Sequence, residues 1–149
     1  MPTVLVPLLL ALDQILKLWA LENLSPTPRP LLGDLLYLTL VRNAGAGFGL
    51  LQGKAFLLGW VSLLVGVFLL YLLARRRYPL GLTLGLSLVA AGALGNGVDR
   101  LGRGWVVDYL DLGTSIPFIA QFPVFNLADV CVTLGALLLL APKPKKRLF

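Results

Sequence analysis

The sequence contains no histidine and a single cysteine, Cys131. Without histidine, the chain has no Ser–His or Cys–His nucleophile and no HExxH zinc motif. A lone cysteine excludes an intrachain disulfide and a cysteine-rich metal cluster. Any catalytic chemistry therefore falls to the seven acidic residues, to Asn, Ser and Thr side chains, or to lysine, and no metal or cofactor is expected.

Charged residues are scarce as well. They make up 13% of the 149 residues, whereas hydrophobic residues make up 58% and leucine alone occupies 41 positions. A typical soluble domain carries about 25% charged residues, and a soluble globule of this size could not bury so much apolar surface. The composition predicts an all-α integral membrane protein with a single domain over residues 1–149.

Four segments are candidates for helices that cross the bilayer, which takes about 20 mostly apolar residues. The second and third segments carry no charge, whereas the first contains Asp13 and Lys17 and the fourth contains Asp129. We therefore predict four transmembrane helices. They cover residues 2–21, 55–74, 78–98 and 125–141.

Two longer polar stretches, 22–54 and 100–121, connect these helices. Three prolines within residues 25–30 end any helix there, because proline lacks the N–H donor and fixes φ. Residues 35–41 and 105–107 have the composition of short strands. We expect a small β-rich element on the outer side of the membrane.

Basic residues are distributed unevenly. Seven of the thirteen lie in two runs free of acids, residues 75–77 and 143–147. Cytoplasmic loops of membrane proteins carry an excess of Lys and Arg, so both termini are predicted to be cytoplasmic and both long loops to lie outside. Such runs set orientation or contact anionic phospholipid. The net charge of +6 therefore does not predict nucleic-acid binding.

The polar residues in or beside the helices fall at one predicted depth, the outer interface. Ionisable groups in a membrane are costly and are candidates for function. They belong to three helices, which suggests one site. The residues are Asp13, Lys17, Asn96, Asp99, Arg100, Asn126 and Asp129.

Each candidate also has a purely structural interpretation. Asp13 and Lys17 have the i, i+4 spacing of a helical ion pair. Asn126 and Asp129 have the spacing of a helix N-cap and its third residue. Asp108 is either an exposed loop acid or, given its apolar neighbours, a partly buried acid with a raised pKa.

Two carboxylates held close together can cleave an amide without a metal, because they share one proton. One acts as general base on water while the other donates a proton to the carbonyl oxygen or the leaving amine. Neighbouring Asn amides and an Arg can stabilise the developing charge. Asp99, Asp108 and Asp129 are all eligible, and the composition does not choose between them.

Five segments in order resemble the motifs of the lipoprotein signal peptidase (signal peptidase II) family. Each segment alone is weakly specific, but five in the same order on a chain of the right length are highly specific. The segments are DQILK (13–17), RNAGAGFG (42–49), GNGVDR (95–100), VVDY (106–109) and FPVFNLAD (122–129).

The resemblance implies an aspartyl endopeptidase of the bacterial cytoplasmic (inner) membrane. It would remove the signal peptide from diacylglyceryl-modified prolipoproteins, cutting before the lipidated cysteine. Asp108 and Asp129 match the family's catalytic pair, and Asn43 matches a loop residue that contacts the substrate. A β-cradle and a mobile outer loop or helix would cover the active site at the outer leaflet. We expect a monomer whose partners are lipid-modified prolipoproteins and membrane phospholipid.

The remaining matched residues have supporting roles in the family. Asn96, Arg100 and Asn126 correspond to polar residues around the catalytic pair, and Asp13 and Lys17 to an ion pair of the first helix. Two positions depart from the family pattern. Leu16 stands where a hydroxyl residue is usual, and Gly47 where alanine is usual.

Two other classes of protein are alternatives to a peptidase. A proton- or ion-coupled carrier would place its ionisable groups near the bilayer midplane, often with duplicated halves. A non-catalytic assembly or lipid-binding protein would tolerate asparagine at positions 108 and 129 together, whereas an aspartyl peptidase would not.

Overall fold

Three long apolar helices form the body of the computed structural model, which describes residues 1–113 and 116–142. They are α1 (Pro2–Asn23), α2 (Ala55–Arg75) and α3 (Leu80–Arg103). All three are long and apolar enough to cross a membrane. They correspond to the first three predicted spans.

Two further helices follow, α4 (Pro117–Ala120) and α5 (Leu127–Leu140). The 14 residues of α5 are apolar but fewer than the roughly 20 of a full span. The helix ends there because Pro142 disfavours the helical conformation of the preceding residue, and Ala141 is accordingly extended. The described residues therefore show three helices of spanning length, not four. The predicted basic run 143–147 lies outside the described residues.

Helix α3 continues to Arg103, five residues beyond the predicted end at position 98. An ion pair of 2.8 Å between Arg103 Nη1 and Asp99 Oδ1 supports this extra turn. Gly104 then ends the helix with a φ of 80°, a conformation that glycine adopts without strain. The polar connection predicted at 100–121 therefore starts only after α3, at residue 104.

One antiparallel sheet of order β1-β2-β3 lies at the end of the helices that includes Arg103. Its strands are β1 (Arg29–Leu32), β2 (Leu36–Asn43) and β3 (Val106–Asp111). The small β-rich element is thus confirmed, and β2 and β3 lie where strands were predicted. The edge strand β1 was not predicted, because Pro30 is unfavourable in a strand except at an edge, where its missing N–H is tolerated.

Two contacts bring α5 against β3 and α3. Phe125, just before α5, forms an isolated bridge with Leu110 of β3. Gly92 of α3 lies so close to Ala128 and Val132 that a Cβ atom there would overlap the Ala128 carbonyl oxygen. Small residues allow this close helix packing. The start of α5 is thereby fixed between the sheet and α3.

Candidate active site

A group of buried polar side chains lies where α1, α3, β3 and the start of α5 meet. We call this part of the molecule the sheet end of the bundle. Buried polar groups need hydrogen-bond partners, so their arrangement is tightly constrained. Each of the following is less than 10% exposed: Asp13, Lys17, Asn96, Asp99, Asp108 and Asn126.

An ion cluster around Lys17 joins α1 to α3 within the site. Lys17 Nζ, which is fully buried, lies 2.8 Å from Asp13 Oδ2 and 3.2 Å from Asp99 Oδ2. The predicted pairing of Asp13 with Lys17 is therefore confirmed. Asp99 also pairs with Arg103 and accepts a hydrogen bond from the Val107 N–H at 3.0 Å. Both of its oxygens are thus occupied by structural contacts.

Asp108 is buried in the middle of β3, with 3% of its surface exposed. Asn126 Nδ2 donates to Asp108 Oδ1 at 2.8 Å, and Asn43 Nδ2 donates to Oδ2 at 3.2 Å. Burial and the nearby charge of Asp129 raise the pKa of Asp108 to about 7, against the opposing effect of the two amide hydrogen bonds. The alternative of an exposed loop acid at this position is wrong.

Asp129 is the third residue of α5 and is half-buried. Its Oδ2 accepts the backbone N–H of Asn126 at 3.1 Å, and the Asn126 side-chain oxygen accepts the Asp129 N–H at 2.9 Å. This capping box confirms the structural interpretation of the pair. Asp129 Oδ1 also accepts a hydrogen bond from Asn96 Nδ2 at 2.9 Å. Asp129 therefore takes part both in the cap of α5 and in the site.

Asn96 joins the ion cluster to the two acids. Its Oδ1 accepts hydrogen bonds from Lys17 Nζ at 3.0 Å and from Asn126 Nδ2 at 3.1 Å. Because its oxygen faces two donors, its amide nitrogen is free to face Asp129. A hydrogen-bonded chain thus runs from Lys17 through Asn96 and Asn126 to both Asp129 and Asp108.

Arg100 of α3 connects the site to α2 and to the loop that follows β2. Its Nη1 donates to Ser62 Oγ of α2 at 3.1 Å, and its Nη2 donates to the Gly45 carbonyl at 3.4 Å. Within the described part of the chain, Arg100 Nε is buried and has no hydrogen-bond partner. Arg100 also lines the cavity that Asp129 and Asn96 border. The site therefore holds one unused cationic donor beside that cavity.

Each acid borders its own cavity. Asp129 lines a cavity of about 360 Å³ together with Asn96, Arg100 and apolar side chains of α2, α3 and α5. Asp108 lines one of about 210 Å³ together with Asn43 and Phe48. Each of the two carboxylates can therefore be reached from a cavity. No cluster of three or more metal-ligating His, Cys, Asp or Glu residues occurs in the described ranges.

The two departures from the family pattern have simple structural settings. Leu16 packs against the apolar cluster formed by α1 and β3. The position of a Cβ at Gly47 would lie 4.0 Å from the Pro123 side chain, so alanine would fit there. Neither residue contacts the two acids through a hydrogen bond in the described structure.

Two polar residues of the site had no role predicted from the sequence. Gln14 Nε2 donates to Asp99 Oδ1 at 3.1 Å and to the Gly95 carbonyl at 3.2 Å. The Tyr109 hydroxyl oxygen accepts the Leu127 N–H at 3.3 Å, which ties β3 to the first turn of α5. The presence of a polar glutamine within an apolar helix was the sequence feature that could have indicated a role for Gln14. The role of Tyr109 depends on tertiary contact and has no local signature.

The fold and the site together define a helical membrane protein that holds two carboxylates, amide donors and an arginine at one end of its bundle. A family model described as signal peptidase (SPase) II matches residues 5–142. The chain is similar to a lipoprotein signal peptidase of Clostridioides difficile (strain 630), with 43% identity over 133 residues, covering 89% of this chain and 86% of the relative. Another lipoprotein signal peptidase, of Synechococcus sp. (strain RCC307), is 43% identical over 142 residues, which cover 93% of this chain and 91% of the relative.

Solved structures agree with this relationship. A bacterial membrane enzyme determined by the in meso method at 2.3 Å resolution matches with a TM-score of 0.80 and 30% identity, covering 93% of this chain and 84% of that one. A second bacterial membrane enzyme, determined at 1.9 Å resolution, matches with a TM-score of 0.79 and 30% identity, covering 93% of this chain and 88% of that one. The chain belongs to the signal peptidase II family and is a multi-pass membrane peptidase.

Proposed function

We propose that this chain removes the signal peptide from diacylglyceryl-modified prolipoproteins and cuts before the lipidated cysteine. Membership of the signal peptidase II family supports the removal of signal peptides from prolipoproteins. The position of the site at the end of long apolar helices supports the choice of a lipid-anchored substrate. Such a substrate presents its scissile bond near a membrane surface.

Asp108 and Asp129 are the proposed catalytic pair. The observation that carries this assignment is that both acids border cavities and are bonded to neutral amides, whereas the oxygens of Asp99 are occupied by Lys17, Arg103 and a backbone N–H. An acid bound to neutral donors can exchange a proton with a substrate. An acid locked in a buried ion cluster instead stabilises the fold.

The proposed reaction uses one proton shared by the pair. Asp129 accepts a proton from a water molecule, whose oxygen attacks the scissile carbonyl. Asp108, with a pKa of about 7, holds the shared proton at the start and delivers it to the leaving amine as the C–N bond breaks. The pair ends the reaction with one proton, now on Asp129.

Polar neighbours of the pair have proposed supporting roles. Arg100 Nε would stabilise the oxyanion that develops on the scissile carbonyl, because it is a buried donor without a hydrogen-bond partner in the described structure. Asn96 and Asn126 position the two carboxylates, and Asn43 donates to Asp108 while its side-chain oxygen accepts the Gly45 N–H. The Asp13–Lys17 pair anchors this network to α1.

We further propose that the chain is a monomer in the bacterial inner membrane, with both termini cytoplasmic and the sheet end at the outer leaflet. The basic residues 75–77, at the end of α2 and just after it, support this orientation, because they lie at the opposite end from the sheet. Residues 125–141, which include α5, would form the fourth crossing. α4 would belong to the outer element that moves to admit the substrate.

A cleavage assay with matched substrates tests the proposed activity. The purified chain in phospholipid is incubated with a prolipoprotein in diacylglyceryl-modified form and with the same precursor unmodified. We expect cleavage of the modified form alone, with the new N-terminus at the lipidated cysteine by mass spectrometry. Equal cleavage of both forms, or no cleavage by a folded protein, would contradict the proposal and favour the carrier or lipid-binding alternatives.

A further inference from the structure

Two adjoining cavities lie at the end of the bundle opposite to the sheet, and the candidate site uses neither. The larger, of about 640 Å³, lies where α2 leads into α3; its lining residues are Tyr71, Leu72, Ala74, Arg75, Arg76 and Tyr78. The smaller, of about 330 Å³, lies between α1 and α2 and includes Val6, Leu10, Leu70, Leu73 and Ala74. Ala74 lines both, so the two cavities adjoin.

The larger cavity has the chemistry of an anion site. Neither Arg75 nor Arg76 forms an ion pair with any acid in the described ranges, so both charges are available. The Arg75 guanidinium lies 5.7 Å from the centre of the Tyr71 ring, which restricts its position. Guanidinium groups match the geometry of phosphate oxygens. At the end of an apolar helix, the expected anion is a phosphate at the membrane surface.

The smaller cavity is almost entirely apolar. Its lining side chains belong to α1 and α2, together with Leu94 of α3. Leu94 and Val6 also belong to a buried apolar cluster, so the crevice leads from the helix ends into the body of the bundle. A hydrocarbon chain fits such a crevice better than water does, because burial of apolar surface is favourable.

We propose that the two cavities form one binding site for an anionic glycerophospholipid. The phosphate lies between Arg75 and Arg76, and one acyl chain fills the crevice between α1 and α2. About 13 helical residues, or roughly 20 Å, separate Arg75 from Ser62 beside the candidate active site. The bound lipid is therefore separate from any substrate at the sheet end, and it fills the crevice between α1 and α2.

Native mass spectrometry and thermal unfolding of the full chain in detergent test this proposal. The chain is titrated with phosphatidylglycerol, with phosphatidylcholine of the same acyl chains, and with inorganic phosphate. The variant R75Q/R76Q removes both charges from the cavity, and Arg77→Gln removes an adjacent charge that does not line it. Ala74→Trp, at an exposed position shared by both cavities, blocks the site without a change of charge.

We expect phosphatidylglycerol to bind and to raise the unfolding temperature more than either alternative ligand. R75Q/R76Q should weaken this binding by about 30-fold, since each basic side chain near an anionic surface contributes roughly fivefold. Ala74→Trp should abolish it, and Arg77→Gln should leave it nearly unchanged. Equal binding of phosphatidylcholine, an equal loss in Arg77→Gln, or tight binding of free phosphate without lipid would each overturn the proposal.

Discussion

Asn126 Nδ2 donates a hydrogen bond of 2.8 Å to Asp108 Oδ1, across the gap between the start of α5 and β3. The side-chain oxygen of the same Asn126 caps α5 by accepting the Asp129 N–H at 2.9 Å. One amide thus contacts both proposed catalytic residues. The local interaction that starts a helix also sets the relative position of the two acids.

Replacement of Asn126 can separate these two roles. Serine retains an N-cap oxygen but loses the amide that donates to Asp108, whereas alanine loses both. We expect Asn126→Ser to lower kcat/KM by about tenfold, because leaving a buried hydrogen-bond partner unsatisfied costs roughly 1–3 kcal/mol. Asn126→Ala should additionally destabilise the fold by about 1 kcal/mol. Unchanged kcat/KM in folded Asn126→Ser would show that the amide does not position Asp108.

Asp99 is expected to matter for folding rather than for chemistry. Asp99→Asn leaves Lys17 and Arg103 without one of their partners inside a buried cluster. Breaking a buried ion pair from one side costs about 3–5 kcal/mol, so thermal unfolding should occur at a clearly lower temperature. Asp111→Asn, on the less buried end of β3, is the control and should unfold near the wild-type temperature. Wild-type stability combined with lost cleavage in Asp99→Asn would place Asp99 in the catalytic machinery.

The pH dependence of cleavage follows from the raised pKa of Asp108. Activity requires a proton on this acid, so kcat/KM should fall as the pH rises through about 7. The hydrogen bond from Asn43 lowers the pKa of Asp108, and Asn43→Ala removes it. The alkaline limb of the pH–rate profile should therefore move to higher pH in this variant, whatever happens to KM. A shift to lower pH would contradict the assignment of the proton to Asp108.

Close packing of α3 on α5 should be as important as the polar contacts. A Cβ at Gly92 would overlap the Ala128 carbonyl oxygen and lie 2.6 Å from Val132 Cγ2. Gly92→Ala should therefore displace the first turn of α5, lower the unfolding temperature and reduce cleavage. Gly81→Ala, on the same helix with nothing within 4 Å, is the matched control and should be neutral. Equal behaviour of the two variants in thermal unfolding would refute this view of the interface.

Much of the helical architecture could be predicted because it depends on composition. Apolar runs without charge define α2 and most of α3, and the spacing of Asp13 and Lys17 defines a helical ion pair. The extra turn of α3 was missed, since its stability comes from the Arg103–Asp99 pair and the Gly104 cap rather than from apolar residues. Strand β1 was missed because pairing with β2 outweighs the unfavourable proline.

The candidate site was only partly visible in the sequence. Composition left Asp99, Asp108 and Asp129 as equal candidates, because a buried ion cluster and a reactive pair use the same residue types. The choice between them depends on partners that are distant in sequence. Asp99 contacts Lys17, 82 positions away in the chain, whereas Asp108 contacts Asn126 from the segment before α5.

The most direct measurement is the cleavage rate of a diacylglyceryl-modified prolipoprotein by Asp108→Asn and Asp129→Asn, with Asp111→Asn as the control from the same strand as Asp108. Thermal unfolding of each variant establishes that it is folded. The account predicts cleavage at the wild-type rate by Asp111→Asn and a loss of at least a thousandfold in each of the other two, in the range of general acid–base contributions of about 10²–10⁴. Substantial cleavage by folded Asp108→Asn or Asp129→Asn would contradict the proposed pair.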